Sequence, residues 1–406
     1  MVRAFVQMPN YRKFAAVQKR YHSLTVDFMM KPIKMVDLKG QYERIRDEID
    51  SVIREVVEST AFINGPAVGR FQRNLEAYLG VKHVIPCANG TDALQVAMMA
   101  AGLKPGDEVI TVSFTFVSTV EVIALLGFKP VLVDVEPDTF NMDPARVRNA
   151  ITARTKAIVP VHLFGQCMDM EPLMKIAQEH HLLIIEDACQ AIGAEYRFSD
   201  GTVRKAGTMG DMGAMSFFPS KNLGAFGDAG ALFTNDDELA HQIRGIVNHG
   251  MFTRYYHDYV GVNSRLDSIQ AAILDVKLRY LDEYARLRQE AADRYDRGLS
   301  GHPHIRIPYR ASYTSHVFHQ YTLQIEDADR NALQQFLQQK DIPAMIYYPV
   351  PLHLQKAYRE SGFREGDLPV TEALCHKVLS LPMHTELDQQ QQEHIIASIL
   401  EYFDKT

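Results

Sequence analysis

The 406-residue chain has only four cysteines, and they form no pattern that would hold a metal ion or a disulfide framework. Cys87, Cys167, Cys189 and Cys375 lie far apart, without a Cys-x-x-Cys pair or histidines at zinc-site spacing. We therefore expect buried, reduced thiols. The sequence also lacks an apolar run of about eighteen residues and a signal-peptide core ahead of a small-residue cleavage site. These absences predict a cytoplasmic protein without a membrane partner.

An excess of basic residues is missing as well. Lys and Arg number 43 against 50 Asp and Glu, which gives a formal net charge of -7 at pH 7. No segment interleaves basic with aromatic residues, so a nucleic-acid partner is not expected and a small-molecule partner is favoured. The motifs of several other enzyme classes are absent too: Walker A, GxGxxG after a strand, HExxH and GxSxG.

The length and the pattern of the chain predict more than one domain, because a single core rarely grows to this size. Residues 1–34 carry seven basic residues against one acid, Asp27, and no clean helical periodicity. We interpret them as an N-terminal extension that is disordered or arises from an upstream start codon. Residues 35–264 are predicted to form a large domain, 265–300 a linking helix and 301–406 a small α+β domain.

Between residues 83 and 235, short apolar segments alternate with helical ones. Several of these segments are apolar at consecutive positions, which is typical of strands covered on both faces. The alternation predicts an α/β fold with a doubly wound, mostly parallel sheet. The candidate strands are 84–87, 109–112, 130–135, 157–162, 182–186, 214–218 and 231–234. Ligands of such sheets bind beyond the carboxyl ends of the strands, so the site is expected there.

Helical periodicity is clearest before the first strand. Residues 42–60 place Ile and Val three and four positions apart, which predicts an amphipathic helix. A second helix is predicted over 68–79, where Gly80 is placed to end it as a C-cap glycine. The small domain is predicted to contain a strand over 320–325 and helices over 330–339 and 389–403.

Lys221 is the most informative residue of the chain. It follows the segment Met-Ser-Phe-Phe-Pro-Ser at 215–220 and precedes a glycine-rich loop at 224–230. Because an ammonium group is strongly hydrated, a lysine between an aromatic-Pro turn and such a loop suggests amine chemistry, as a desolvated Schiff-base nucleophile. A solvated lysine at a strand end would give the same local pattern. Lys221 therefore needs support from the rest of the chain.

A candidate phosphate cradle lies at 89–94, with the sequence Asn-Gly-Thr-Asp-Ala-Leu, between a predicted strand and a predicted helix. Gly90 lets the backbone approach closely, Thr91 adds a hydroxyl donor, and the helix N-terminus presents free N–H groups. Taken alone, this motif is explained better by an ordinary strand-turn-helix with Asn89 or Thr91 as the cap.

Three further residues suit a planar, charged ring. Asp187 ends an apolar strand, and a carboxylate placed there needs a cationic partner, such as a protonated pyridine nitrogen, or several donors. Phe116 could stack on the ring or belong to the core, and Ser216 could bind a phosphate or its own backbone. Together a phosphate cradle, a stacking aromatic, an acid and a Schiff-base lysine, in this chain order, are what pyridoxal 5'-phosphate requires.

These motifs resemble the DegT/DnrJ/EryC1/StrS family of nucleotide-sugar aminotransferases, which depend on pyridoxal 5'-phosphate. The resemblance covers about residues 36–403. It rests on the segments 89–94, 105–110, 185–190, 216–221, 261–266, 270–272 and 381–384. It implies a fold-type-I transferase with a mostly parallel, seven-stranded sheet flanked by helices, and a smaller α+β domain at the C-terminus.

The resemblance also implies the roles of individual residues. Lys221 forms the Schiff base and Asp187 pairs with the pyridine nitrogen. The residues that it assigns to the phosphate and to the face and hydroxyl of the ring are Gly90, Thr91, Phe116, Gln190, Ser216 and Asn263. The residues that it assigns to the substrate are Phe62, Ser220, Arg265, Tyr347 and Tyr348. Because Asn263 would come from a neighbouring subunit, a homodimer with shared active sites is expected.

Within the family, the likeness is greatest to enzymes that aminate carbon three of UDP-2-acetamido-2-deoxy-3-oxo-glucuronic acid for bacterial surface polysaccharides such as O-antigen. Its marks are the segments 161–167, 261–267 and 348–352. It implies L-glutamate as the amino donor. The guanidinium of Arg265 suits a carboxylate, either that of the sugar or that of glutamate, although an interface salt bridge would also explain it.

Other functions stay open at this point. The acceptor could be another keto sugar, such as a dTDP-3-keto-6-deoxyhexose or a UDP-4-keto hexosamine. From a different class, the chain could be a regulatory protein that binds pyridoxal phosphate without turnover. The sequence departs from the resemblance where Tyr347 replaces a frequent His and Phe62 a frequent Tyr. Residues 195–208 predict a hairpin longer than usual, without a functional account.

Overall fold

The computed structural model describes residues 30–405, except for the side chains of 359–361. The predicted extension over residues 1–34 lies almost entirely outside this range. The strands of the described residues are β1 (His83–Cys87), β2 (Glu108–Val112), β3 (Lys129–Val133), β4 (Thr155–Ile158), β5 (Leu183–Asp187), β6 (Glu195–Arg197), β7 (Val203–Lys205), β8 (Met212–Ser216), β9 (Gly230–Thr234), β10 (Met251–Thr253), β11 (Tyr256–His257), β12 (Ile305–Arg306), β13 (Tyr321–Ile325) and β14 (Val378–Leu381).

The described residues also form α-helices and short 3-10 helices. The α-helices are α1 (Leu38–Arg44), α2 (Arg46–Ser59), α3 (Pro66–Leu79), α4 (Gly90–Ala100), α5 (Ser118–Leu125), α6 (Pro144–Ala150), α7 (Met170–His180), α8 (Asp237–Ile246), α9 (Ser268–Leu278), α10 (Leu281–Leu299), α11 (Arg330–Gln338), α12 (Pro369–Lys377) and α13 (Gln389–Lys405). Short 3-10 helices lie at Leu163–Gly165, Leu352–Leu354 and Lys356–Ser361. Within residues 30–405, no helix is both long and apolar enough to cross a membrane.

Seven strands form the central sheet, in the order β1-β9-β8-β5-β4-β2-β3. The pairs from β8 through β5, β4 and β2 to β3 are parallel, and β9 alone runs antiparallel to its two neighbours. The predicted fold class, a mostly parallel seven-stranded sheet flanked by helices, is confirmed.

Consecutive residues of the central strands pack into two different cores. Val84 belongs to the core on one face of the sheet, and the next residue, Ile85, belongs to the core on the other face. Ile184 and Ile185 divide in the same way. Because successive side chains of a strand point to opposite faces, a sheet covered by helices on both sides needs apolar residues at every position.

One predicted strand is shorter in the structure. The apolar run at 157–162 predicted a strand to His162, but β4 ends at Ile158. Pro160 has no backbone N–H to donate to a ladder, so regular pairing stops before it. Its carbonyl still accepts a hydrogen bond from the Asp187 backbone N–H at 2.8 Å, which ties the end of β5 to this segment.

Two predicted helices are each divided in the structure. The pattern over 42–60 forms α1 and α2, with the non-helical residue Ile45 between them. The linking helix predicted over 265–300 is α9 followed by α10, with a break at Tyr280. At that break the Tyr280 hydroxyl donates a hydrogen bond to Glu48 of α2. Periodicity alone does not reveal such breaks.

The C-terminal part of the chain has a core of its own. Strands β12, β13 and β14 form an antiparallel sheet, in which Tyr321 pairs with Leu381 and Leu323 with Leu379. Helices α10, α11 and α13 contribute residues to the same cluster of buried side chains. The predicted hairpin at 195–208 is present as β6 and β7. Its Arg197 N–H donates to Tyr313 O at 2.7 Å, so the hairpin contacts the segment that leads into the small sheet.

Candidate active site

A cleft of about 850 Å³ opens at the carboxyl ends of β1, β2, β5 and β8. This is the edge where ligands of doubly wound sheets bind. The predicted site residues that line the cleft are Gly90, Thr91, Phe116, Asp187, Gln190, Ser216, Ser220, Lys221, Tyr347 and Tyr348. The structure therefore brings together ten of the residues selected from the sequence. Phe62, Asn263 and Arg265 do not line the cleft of their own chain.

The N-terminus of α4 forms the floor of the cleft. Asn89 caps this helix, and its side-chain oxygen accepts the Asp92 backbone N–H at 2.8 Å. Gly90 packs so closely on the end of β8 that a Cβ there would lie 2.6 Å from Cβ of Ser216. A larger residue would force the two elements apart. The capping interpretation and the phosphate-cradle interpretation are therefore compatible, because Asn89 caps the helix and the other residues of its first turn, Gly90, Thr91 and Asp92, line the cleft.

Lys221 lies in the turn that follows β8. Its backbone N–H donates to Phe218 O at 2.8 Å, and the Ala225 N–H closes the loop on Phe217 O at 2.8 Å. Burial lowers the pKa of the Lys221 amine, and the nearby Cys189 and Asp187 offset part of that effect. A lower pKa increases the fraction of neutral amine, which is the form that attacks a carbonyl.

The buried carboxylate of Asp187 is held in a fixed orientation at the end of β5. Thr119 donates its hydroxyl to Oδ2 at 2.8 Å, and the Cys189 backbone N–H donates to Oδ1 at 3.2 Å. Each carboxylate oxygen can accept more than one hydrogen bond, so both retain capacity for a further donor in the cleft. A protonated ring nitrogen meets that requirement.

Gln190 connects two walls of the cleft. Its side-chain oxygen accepts the Phe164 backbone N–H at 2.9 Å, and its amide nitrogen donates to the Tyr348 hydroxyl at 3.2 Å. Burial raises the pKa of Tyr348, so its hydroxyl stays protonated at neutral pH. These contacts place two polar groups from distant parts of the chain side by side.

Phe116 and Thr115 complete the fit to a planar phosphorylated cofactor. The Phe116 side chain is 54% exposed although it lines the cleft, which contradicts the alternative of a core aromatic. The neighbouring Thr115 hydroxyl is buried and has no hydrogen-bond partner among the described residues. An exposed ring face, an unpartnered hydroxyl, a helix N-terminus and a desolvated lysine in one cleft fit pyridoxal 5'-phosphate.

The three predicted residues outside the cleft lie near one another. Phe62 is 44% exposed, and its carbonyl accepts a hydrogen bond from the Ser268 backbone N–H at 2.9 Å. Ser268 is three residues after Arg265 in the sequence. Asn263 is exposed and Arg265 partly buried. The residue between these two, Ser264, accepts the Ala88 backbone N–H at 3.1 Å next to the phosphate cradle.

Sequence reasoning missed several residues that line the cleft. They are Thr115, Phe164, Asp228, His319, Val350 and Leu352. Thr115 lies within the motif that contained Phe116, so its proximity could have been inferred. Val350 and Leu352 lie in the segment 348–352 with the predicted Tyr348, so they could have been inferred as well. His319 comes from a segment more than ninety residues after Lys221, and no spacing rule connects it to the lysine.

Comparison with known proteins identifies the architecture. The model of the DegT/DnrJ/EryC1/StrS aminotransferase family matches residues 43–400. The chain belongs to this family. The Pleiotropic regulatory protein of Geobacillus stearothermophilus is 47% identical over 373 residues, which cover 91% of this chain and 98% of that protein. The UDP-2-acetamido-2-deoxy-3-oxo-D-glucuronate aminotransferase of Pseudomonas aeruginosa is 44% identical over 367 residues, which cover 90% of this chain and 99% of that protein.

A solved structure agrees with these matches. S. venezuelae DesV, in complex with a ketimine intermediate, superposes with a TM-score of 0.88 at 40% identity, covering 92% of this chain and 99% of that one. Further relatives are named as transaminases of dTDP-linked sugars. The family resemblance seen in the sequence is confirmed, and the chain is a sugar aminotransferase that depends on pyridoxal 5'-phosphate.

Proposed function

We propose that this chain transfers the amino group of L-glutamate to UDP-2-acetamido-2-deoxy-3-oxo-D-glucuronate, in the cytoplasm, for bacterial surface polysaccharide such as O-antigen. The observation that carries the chemistry is the single cleft that joins the desolvated Lys221, the oriented Asp187 and the helix N-terminus at Gly90. The choice of sugar is supported by the 44% identical relative from Pseudomonas aeruginosa, which bears the name of that reaction.

When bound, pyridoxal 5'-phosphate supplies an electron sink for removal of the proton from the amino-acid Cα. Lys221 would hold the cofactor through Nζ, and this amine would be free while the donor amine is bound. The free Nζ then holds the proton that leaves the donor Cα and moves it along the same face of the site. The sugar acceptor takes the amino group by the reverse sequence of proton movements at Nζ.

The other residues of the cleft would bind the cofactor and orient it. The Asp187 carboxylate, held by Thr119 and Cys189, keeps a proton on the ring nitrogen by opposing its charge. The α4 N-terminus binds the phosphate, with hydroxyls from Thr91 and Ser216. The residues that enclose the ring and exclude water from its faces and edge are Phe116, Gln190 and Tyr348.

The complete site is proposed to need two chains. Phe62, Asn263 and Arg265 lie close together outside their own cleft, on a surface that also exposes Ile63. A homodimer that places this surface against the partner's cleft would give each site a phosphate ligand in Asn263 and a guanidinium in Arg265. Shared sites of this kind follow from isologous two-fold contacts, in which each chain completes the other.

Mixing two inactive variants tests the shared site. Lys221→Ala chains and Arg265→Ala chains are each expected to have little activity. A mixed dimer contains one cleft with both Lys221 and the partner's Arg265, so combining the variants after subunit exchange should restore part of the activity. Each variant exchanged with itself is the control. No recovery in dimers verified by mass spectrometry to be mixed would mean that one chain builds the whole site.

A variant of Arg265 tests the choice of a uronic acid. If its guanidinium pairs with the sugar carboxylate, Arg265→Ala should lower kcat/KM about ten- to a hundredfold in the sugar half-reaction and leave the glutamate half-reaction intact. Stopped-flow absorbance separates the halves. Arg279→Ala, which removes a surface pair with Glu48, is the matched control. Loss with glutamate alone would remove the physical reason for preferring a uronic acid to a neutral sugar.

Two alternative functions are suggested by the names of relatives. An acceptor linked to dTDP corresponds to the relatives named for dTDP sugars, and a regulatory role corresponds to the 47% identical relative named Pleiotropic regulatory protein. The complete set of Lys221, Asp187 and Gln190 in one cleft favours turnover. The deciding experiment converts the protein to its pyridoxamine form with L-glutamate and then offers UDP- and dTDP-linked keto sugars in turn. The sugar that restores the visible absorbance fastest is the acceptor, and failure of glutamate to bleach the protein would favour the regulatory function.

A further inference from the structure

A histidine of the small domain lies in the cleft beside Lys221. His319 precedes β13, lines the same cleft as Lys221 and Asp187, and is only 8% exposed. Its Nδ1 is enclosed and has no hydrogen-bond partner among the described residues. A buried polar atom without a partner is uncommon in a folded protein and calls for a ligand or a catalytic reason.

The backbone around His319 is fixed on both sides. Phe318 has a left-handed φ of 45°, which is unusual for a residue other than glycine and needs support from its surroundings. Arg288 supplies that support by donating to Phe318 O at 3.0 Å. Asn222, the residue after Lys221, donates its side-chain N–H to Val317 O at 2.9 Å. The segment that carries His319 is therefore attached directly to the turn that carries Lys221.

The surroundings keep the imidazole neutral. Burial is the main reason that the pKa of His319 falls well below its ordinary value, and the positive charges of Lys221 and Arg288 lower it further. A neutral imidazole keeps one ring nitrogen with a free lone pair. Because a buried N–H without an acceptor is rarer than a buried lone pair without a donor, Nδ1 is best assigned as the acceptor.

The Lys221 amine needs such an acceptor. Once released and after it has taken the Cα proton, it is an ammonium inside a desolvated cleft, where a charge without a hydrogen-bond partner is costly. Asp187 is the nearby carboxylate, held in place by Thr119 and Cys189, and its remaining acceptor capacity is what the ring nitrogen of the bound cofactor would use. Its charge is also the one that the ring nitrogen requires. A second, neutral partner would hold the ammonium without competing for that charge.

We propose that His319 is a positioning residue for Lys221, whose Nζ donates a hydrogen bond to the imidazole Nδ1 during the steps in which the free amine carries the substrate proton. The role rests on the proposed function in that the amine is released during each half-reaction. It explains why a histidine from a distant segment is anchored next to Asn222. Since Lys221 serves both half-reactions, a loss of His319 affects both.

The test uses the full-length chain in its pyridoxamine phosphate form, in which Nζ is free. The pKa of Lys221 is read from the pH dependence of its acylation by acetic anhydride, followed by mass spectrometry. H319L removes the acceptor, and the pKa of Lys221 should fall by about one unit or more. H319N places an amide oxygen near the Nδ1 position and should keep the wild-type value. In H319L, kcat of both half-reactions should fall together by about tenfold or more.

A Lys221 pKa that is unchanged in folded H319L would overturn the proposal, and so would a loss confined to the sugar half-reaction, which would make His319 a substrate contact. If H319L does not fold, H319Q replaces it, because its amide lies near Nε2 rather than Nδ1. A wild-type Lys221 pKa in H319Q would then refute the assignment. Acylation does not depend on turnover, so an absence of transamination would count against the proposed function and leave this result standing.

Discussion

Lys221→Ala is expected to abolish transamination, with kcat lowered at least about a thousandfold. In the proposed function the substitution removes both the amine that holds the cofactor and the base that moves the proton, and the loss of a general base alone costs about a hundred- to ten-thousandfold. The variant should still bind some cofactor, because the α4 N-terminus and its hydroxyls are unchanged. The visible absorbance that depends on the lysine should disappear.

Steady-state transamination and absorbance spectra check this result. Lys82→Ala is the matched control, since Lys82 is an exposed lysine that pairs with Asp237 at 2.6 Å on the surface. Exposed pairs of this kind contribute little to stability, so the control should keep both activity and colour. Sustained turnover by purified Lys221→Ala would overturn the assignment of the nucleophile.

Local sequence patterns selected residues that line the cleft where the chemical group and the element that positions it are neighbours in the chain. Gly90 could be selected because a glycine at the start of a helix after a strand permits close backbone approach, and a Cβ there would indeed collide with Ser216. Asp187 could be selected because it ends an apolar run that forms a buried strand. In each case the functional side chain or backbone group lies within a few residues of the helix or strand that positions it.

Local sequence patterns could not predict contacts between segments that are far apart in the chain. His319 reaches the cleft because the small domain packs on the loop at 163–165, where Gly165 leaves room for the His319 backbone at 2.8 Å from the position of a Cβ. Tyr348 reaches Gln190 over 158 residues of chain. The single linking helix predicted over 265–300 failed for the same reason, because its break at Tyr280 accompanies a contact with the distant Glu48.

The second large effect is expected for Asp187→Asn, which should lower kcat at least about a hundredfold. The amide has nearly the same shape, so its oxygen can still accept the hydroxyl of Thr119, which now lies 2.8 Å from Asp187 Oδ2. What it loses is the negative charge, together with the acceptor for the Cys189 backbone N–H at Oδ1. Without that charge the ring nitrogen gives up its proton more easily, and the electron sink on which both half-reactions depend becomes weaker.

Two further variants distinguish the effect of the Asp187 charge from the effect of the hydrogen bond that orients its carboxylate. Asp211→Asn is the matched control, because Asp211 is exposed beyond the other end of β5, where it accepts the Ile184 N–H at 2.8 Å, and its charge is far from the cleft. It should leave kcat nearly unchanged. Thr119→Val keeps the Asp187 charge but frees the carboxylate to rotate, and we expect a smaller loss of kcat, of about tenfold.

Rapid-quench measurement of both half-reactions should find the Asp187→Asn loss in each of them. If Asp187→Asn turned over at the wild-type rate, the carboxylate would have only a structural role and another group would have to hold the ring proton.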